Sequence, residues 1–402
     1  MATYAPDIEM LLDCARSRMD ANRAVRITAR VHAGPNWPRV LSLAGRHRLT
    51  PLLCWQLQAV CPASVPRPFW DQLQREFQAN AQRNLLLAGE LLKLVGSFQK
   101  IGVEAMPLKG PALAFSAYGN LSLRQFIDLD IVVRRADVLQ VKDALLAQGY
   151  CPIVALTPTQ EQAHLQSKNH TYDFRREDGK VSVEIHWAIS PRQYSFPLAG
   201  DTLWSDSRQI NFLGTVISSP PPELLLLILC AHGSRHYWER LIWVCDVAEL
   251  IQSQPHLNWE RVWEQARSLR SERMLATGLA LAKQLLGTSL PTALAERIDR
   301  DSTAQALAEK VERWLFLEAD SLWVTLQKRL FILHVRECWR DKFAYAWHLL
   351  VWSITPNELD RAFFPLPGGC SILLYLLRPV RLAAKCLGLS RKAPAGGTVA
   401  SR

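Results

Sequence analysis

The sequence predicts an α+β protein in which a mixed-sheet core is flanked by an N-terminal and a C-terminal helical region. Three observations predict it. Apolar residues recur at helical spacing as far as Lys100, short alternating segments punctuated by glycine and proline follow from Val103, and helical spacing returns after Pro220-Pro-Pro. The expected division is 1–100, an N-terminal helical region; 101–217, the α/β core; 218–360, a C-terminal helical domain; and 361–402, a basic tail with an amphipathic helix.

Each element has a local reason. Asp7 is placed to cap a helix over Ile8-Glu-Met-Leu-Leu, and a long amphipathic helix runs from Phe69 through Leu73, Phe77, Leu85 and Leu92 to Phe98, stopped by Gly102. Val103 to Gly110 reads as a strand, and Pro111 opens a helix through Ala117, where proline is tolerated. Phe126 to Val133 alternates with period two, Ala136 to Gln148 is a helix stopped by Gly149, and Tyr172–Arg175 with Val181–Trp187 forms a hairpin around Glu177-Asp-Gly-Lys. Beyond residue 220, the apolar runs Leu224–His232 and Leu241–Ile251 begin a helical series that reaches Ile354.

Composition narrows the class. Of 402 residues, 49% are hydrophobic and 21% charged, which excludes a disordered chain. The apolar runs are too short to span a bilayer, the N-terminus lacks a secretory pattern, and a cytoplasmic location is expected. Nine cysteines without Cys-x-x-Cys spacing argue against a disulfide framework and a structural zinc site. The formal charge of +10 is concentrated late, with no acid after Asp360. The Ser371–Lys385 segment joins apolar residues to this charge, so a membrane-surface or protein contact through the tail is expected alongside simple docking on its own chain. Nucleic acid is not an expected partner, because no recognition motif is present.

The chemistry lies in the middle of the chain. Asp128 and Asp130, at i and i+2 on a strand, point to one face and repel each other unless a cation lies between them. Upstream, Lys109-Gly110 stands at a strand-to-helix junction suited to an anion such as a triphosphate. Downstream, Glu184 and His186 share a strand face, and if that strand lies beside the Asp128 strand, Glu184 completes a three-carboxylate cluster with room for two ions. Arg124 is expected at a phosphate or in a structural ion pair. His186 is expected to support Glu184, and His232 to face the cleft.

These residues resemble the nucleotidyltransferase superfamily, the fold shared by DNA polymerase β and the minimal nucleotidyltransferases. They are more closely similar to an uncharacterised bacterial nucleotidyltransferase family through Leu108-Lys109-Gly110, Arg124-Gln-Phe-Ile-Asp128-Leu-Asp130 and Glu184-Ile-His186-Trp187. The similarity extends to His232-Gly233 and Asp246, over roughly residues 70–260. The superfamily's usual Gly-Ser turn is replaced here by Lys109-Gly110-Pro111. The resemblance implies a Mg²⁺-dependent enzyme with catalytic, metal-binding Asp128, Asp130 and Glu184. Lys109, Gly110 and Arg124 would meet the nucleotide, and His186 and His232 would support them. The expected reaction transfers a nucleoside monophosphate from a nucleoside triphosphate, ATP being the expected donor, to a hydroxyl of a protein or small-molecule acceptor. An alternative is a nucleotide-sensing or partner-binding module of the same fold with little catalysis.

Overall fold

The computed structural model describes residues 4–167, 169–191, 196, 198, 201–317, 322–356, 360, 363 and 373–386. The end of the predicted basic tail, including Arg391, Lys392 and Arg402, lies outside these residues.

Four short helices come first: α1 (Pro6–Cys14), α2 (Ala21–His32), α3 (Trp37–His47) and α4 (Thr50–Val60). Asp7 does not cap α1. Pro6 occupies the first helical position with Ala5 as the cap, and the Asp7 carboxylate instead accepts from the Asn36 amide at 3.1 Å. The 34-residue helix α5 (Arg67–Lys100) extends about 51 Å at 1.5 Å per residue and joins two cores. Its start packs with α1–α4, whereas Leu87, Leu91, Leu94, Val95 and Phe98 pack under the sheet.

The core then alternates as predicted, with additions. Its elements are β1 (Met106–Pro107), α6 (Gly110–Tyr118), β2 (Asp128–Val132), α7 (Val138–Leu146), β3 (Tyr150–Pro152), α8 (Pro158–Gln166), β4 (Thr171–Arg176) and β5 (Ser182–His186). They form a five-stranded mixed sheet in the order β1-β2-β5-β4-β3, with β2 and β5 parallel and every other neighbouring pair antiparallel. β1 is shorter than expected because Pro107 has no N–H for a ladder and tolerates only an edge. Leu129, Ile131, Val183, Ile185 and Phe174 alternate onto the apolar face against α5 and α7. The acids and histidines therefore take the other face.

A short helix α9 (Asp201–Trp204) and a hairpin not expected from sequence, β6 (Arg208–Phe212) with β7 (Thr215–Ser219), follow. The remaining described helices are α10 (Pro222–Arg235), α11 (Leu241–Ser253), α12 (Trp259–Ser268), α13 (Glu272–Leu286), α14 (Thr292–Arg300), α15 (Ser302–Leu315), α16 (Leu322–Val335), α17 (Trp339–Ile354) and α18 (Leu373–Cys386). Trp238 is wholly buried in a niche that only glycine can line, since a Cβ at Gly233 would lie 2.5 Å from its ring. Residues of α1–α4 share one continuous core with α10, α11, α13 and α15. Among the described residues, no helix is long and apolar enough to cross a membrane.

Candidate active site

The site is built where β1 turns into α6 beside β2. Leu108 donates its amide to the Asp130 carbonyl at 3.1 Å, which carries the turn alongside the acidic strand. Gly110 adopts φ +55°, and a Cβ there would stand 3.3 Å from the Asp128 carbonyl oxygen. Glycine is thus required by both conformation and space. Gly110→Ala is expected to cost about 1–2 kcal/mol, the scale of a left-handed non-glycine residue, as read by urea unfolding.

Register brings the acids together. Asp130 pairs directly with Glu184 across the parallel β2–β5 ladder, and Asp173 of β4 lies opposite Glu184 on its other side, so three acids form a row across the sheet. His186 Nε2 is 3.1 Å from Asp130 Oδ1 and 3.6 Å from Glu184 Oε2. Lys109 Nζ lies 3.3 Å from Asp130 Oδ2 and 3.5 Å from His232 Nδ1. One ligand atom each from Asp130, Glu184 and His186 fall within 4.8 Å of one another. Ligands at 2.0–2.6 Å from a cation lie at most about 4–5 Å apart, so this group can hold a divalent ion. Asp128 is on the same strand face opposite Ser182, outside that tight group.

The electrostatics separate the two aspartates. Burial, then repulsion from Asp130 and Glu184, raises Asp128 to about 6, although Lys109 and Arg48 oppose the shift. Burial also works against charge on Asp130, but Lys109 and His186 hold it far below the usual carboxylate range. The His186 hydrogen bond lowers Glu184. For His186 itself, burial disfavours the charged ring, and its bonds to Asp130 and Glu184 outweigh that and raise it. Burial, then Lys109, drives His232 well below its ordinary value, and His170 and His236 fall to about 3 chiefly through burial. These neutral rings accept from cations: Arg235 reaches His170 at 3.2 Å and His236 at 3.1 Å.

Of the residues singled out from sequence, Lys109, Gly110, Asp128, Asp130, Glu184, His186 and His232 converge here. Arg124, expected at a phosphate or in a structural ion pair, is committed to the latter, with Asp246 of α11 through a buried two-pronged bond of 2.7 and 2.8 Å, the Tyr118 hydroxyl donating to the same carboxylate at 2.7 Å. A planar guanidinium matches a carboxylate in this geometry. Asp173, His170 and Arg48 were not anticipated. Arg48 lies nearly eighty residues upstream and is assembled only by the tertiary fold, at the left-handed end of α3.

Two openings flank the acids. A narrow pocket of about 30 Å³, room for a few waters, is lined by Lys109, His186, His232, Ser234 and Arg235. Among the described residues, the buried His186 Nδ1 and Ser234 Oγ have no protein partner. On the Asp128 side, Gln125 and Ile127 line a larger groove of about 520 Å³, where, among the described lining residues, Arg46, Arg48, Arg240 and Lys328 stand against one acid, Glu239, which pairs with Lys328. Such a surplus of cations suits an anion.

With this arrangement in view, comparison with known families is decisive. Residues 33–287 match a family described as uncharacterised nucleotidyltransferase. The chain belongs to this family. The matched span holds the whole sheet, the turn, the acidic row and the Arg124–Asp246 pair. No curated protein and no solved structure matches the chain.

Proposed function

We propose that the protein is a divalent-metal-dependent nucleotidyltransferase of the DNA polymerase β type, moving a nucleoside monophosphate from a triphosphate, with ATP as donor, to an acceptor hydroxyl. The observation that carries this reading is the pairing of Asp130 with Glu184 on adjacent parallel strands, one turn away from Lys109-Gly110. Asp130 and Glu184 would hold the cation, with Asp128 at its edge. His186 is either a third ligand or the hydrogen-bond partner that orients Asp130 and Glu184. Mg²⁺ favours the all-oxygen choice, and Mn²⁺ accepts the imidazole. When bound, the cation would polarise the phosphate and offset charge on departing pyrophosphate.

The chain's own groups supply the rest. The Lys109 ammonium would move from Asp130 to the triphosphate, and Gly110 lets the phosphates approach the backbone of the turn. Asp128, titrating near 6, is suited to take the acceptor hydroxyl's proton on a carboxylate oxygen. The acceptor oxygen, relieved of its proton, would attack the α-phosphorus while the bond from the α-phosphorus to the oxygen bridging it to the β-phosphate breaks, and pyrophosphate leaves with that oxygen. The cationic groove beside Asp128 would receive an anionic part of the acceptor or the pyrophosphate.

A second reading, a nucleotide-sensing module with little turnover, is favoured by one observation: Lys109 and His186 already neutralise Asp130. Incubation with α-labelled nucleoside triphosphates, Mg²⁺ or Mn²⁺ and cell lysate separates the two. Label on an acceptor supports transfer. Nucleotide binding without label or pyrophosphate release supports sensing.

The titrations give a further expected result. Protons on Asp128 and His186 compete with a cation, so apparent Mn²⁺ affinity should rise with pH, by up to about tenfold per unit for each proton displaced, and flatten once both are lost. Calorimetric titration between about pH 5 and pH 8 would show it; an affinity independent of pH would exclude both groups from the site. For the cation-free fold the two aspartates act oppositely. Asp128, raised from 3.8 to about 6, detracts from stability as pH rises through that window. Asp130, depressed, contributes stability that is lost as pH falls below 3.8.

A further inference from the structure

Three helices beyond the family's matched span turn apolar residues outward at helical spacing. On α17, Trp339, Phe343, Trp347, Leu350 and Ile354 are 71%, 65%, 57%, 53% and 40% exposed, while Tyr345 on the opposite side is buried. At 100° per residue these five fall within an arc of about 80°. The pattern is inverted: the stripe that should face a core faces solvent. Trp323, Leu326 and Leu330 repeat it on α16, and Leu373, Leu376 and Val380 on α18. α17 packs against both neighbours. The three aromatic rings of α17 alone expose roughly 300–480 Å² at 150–250 Å² per ring, as much as the largest patch of an ordinary monomer.

Charge identifies what covers this face. Residues 322–402 contain twelve lysines and arginines against four acids, so they carry most of the chain's net +10. Arg340 and Lys342 flank the α17 stripe, and Arg340 lies over the Trp339 ring. Arg378 and Arg381 of α18 bind Asp360, which anchors the helix by its cations and leaves its apolar stripe outward. A second copy of this surface would bring like charges together, whereas an anionic lipid surface offers both the missing apolar phase and the opposite charge. Tryptophan is enriched at the headgroup boundary for the same reason.

We propose that α16, α17 and α18 form a monotopic membrane face that lies in the interface of an anionic bilayer. At 16 residues, α17 is about 24 Å long and lies in the plane rather than across it. The face is independent of the nucleotidyltransferase chemistry.

Sedimentation of the full chain with vesicles tests it. Vesicles of phosphatidylcholine with phosphatidylglycerol are expected to bind at least about tenfold more protein than phosphatidylcholine alone, with a blue shift of tryptophan emission and loss at high salt. Trp339→Ser, Phe343→Ser and Trp347→Ser together should reduce that binding at least about tenfold. Arg340→Glu with Lys342→Glu should remove the preference for anionic vesicles while circular dichroism stays unchanged. Three results would overturn the proposal: no preference of the wild type for anionic vesicles, undiminished binding by the triple variant, or a concentration-dependent dimer that fails to bind vesicles and that the triple variant dissociates.

Discussion

Asp130→Asn is expected to reduce nucleotide transfer by about 10²–10³-fold or more, the scale of losing a group that stabilises transition-state charge, and also to destabilise the cation-free protein. The second effect follows from the contacts. Asp130 receives both Lys109 and His186, so the amide leaves the part-buried Lys109 ammonium and the buried His186 ring facing a neutral partner and costs about 1.5–3 kcal/mol. Asp128→Asn should move stability the other way, since its carboxylate is held against Asp130 and Glu184 at an unfavourable pKa of about 6. Initial rates and thermal melts of both variants, with and without Mn²⁺, check the pair. If the two variants melt at the same temperature, the inequality of the two aspartates is wrong.

Asp246→Ala is expected to be the most destabilising single change at this site without touching a ligand of the cation. Arg124 and Asp246 are almost fully buried, and removal of the carboxylate strands a guanidinium and the Tyr118 hydroxyl. Breaking such a pair costs about 3–5 kcal/mol. Urea unfolding measures the loss. Because the pair ties the segment ahead of β2 to α11, the variant should also lower transfer below its melting transition. Full stability in Asp246→Ala would return Arg124 to consideration as a phosphate ligand.

Much of this was legible in the sequence because local rules govern it. The turn at Lys109-Gly110, the alternation that puts Asp128 and Asp130 on one face, and the β4–β5 hairpin all follow from spacing and turn chemistry. The β2–β5 pairing was a condition in the sequence; the parallel ladder meets it and sets Glu184 directly beside Asp130. Asp173 escaped notice because only the hairpin's register, Asp173 opposite Glu184, gives it a place in the row. Arg124 was open between a phosphate and a structural ion pair because its partner, Asp246, lies 122 residues away. The β6–β7 hairpin turns on Leu213-Gly214, which lacks the Asn-Gly or Asp-Gly signature, so the sequence does not mark it as a hairpin.

The core shared by α1–α4 and the later helices has a consequence during synthesis. Apolar residues of the first four helices complete their core with partners from Leu224 onward, about 170–210 residues later. At about 5–20 residues per second, the ribosome needs roughly 9–43 s to deliver them. Throughout that interval Leu11, Ile27, Leu52 and Leu53 have only one another's helices and the start of α5 to pack against, while the sheet can already collapse on the second half of α5. Translation in a chaperone-free system is therefore expected to leave the N-terminal helices protease-sensitive until α10 and α11 have emerged, as pulse proteolysis of stalled chains would show.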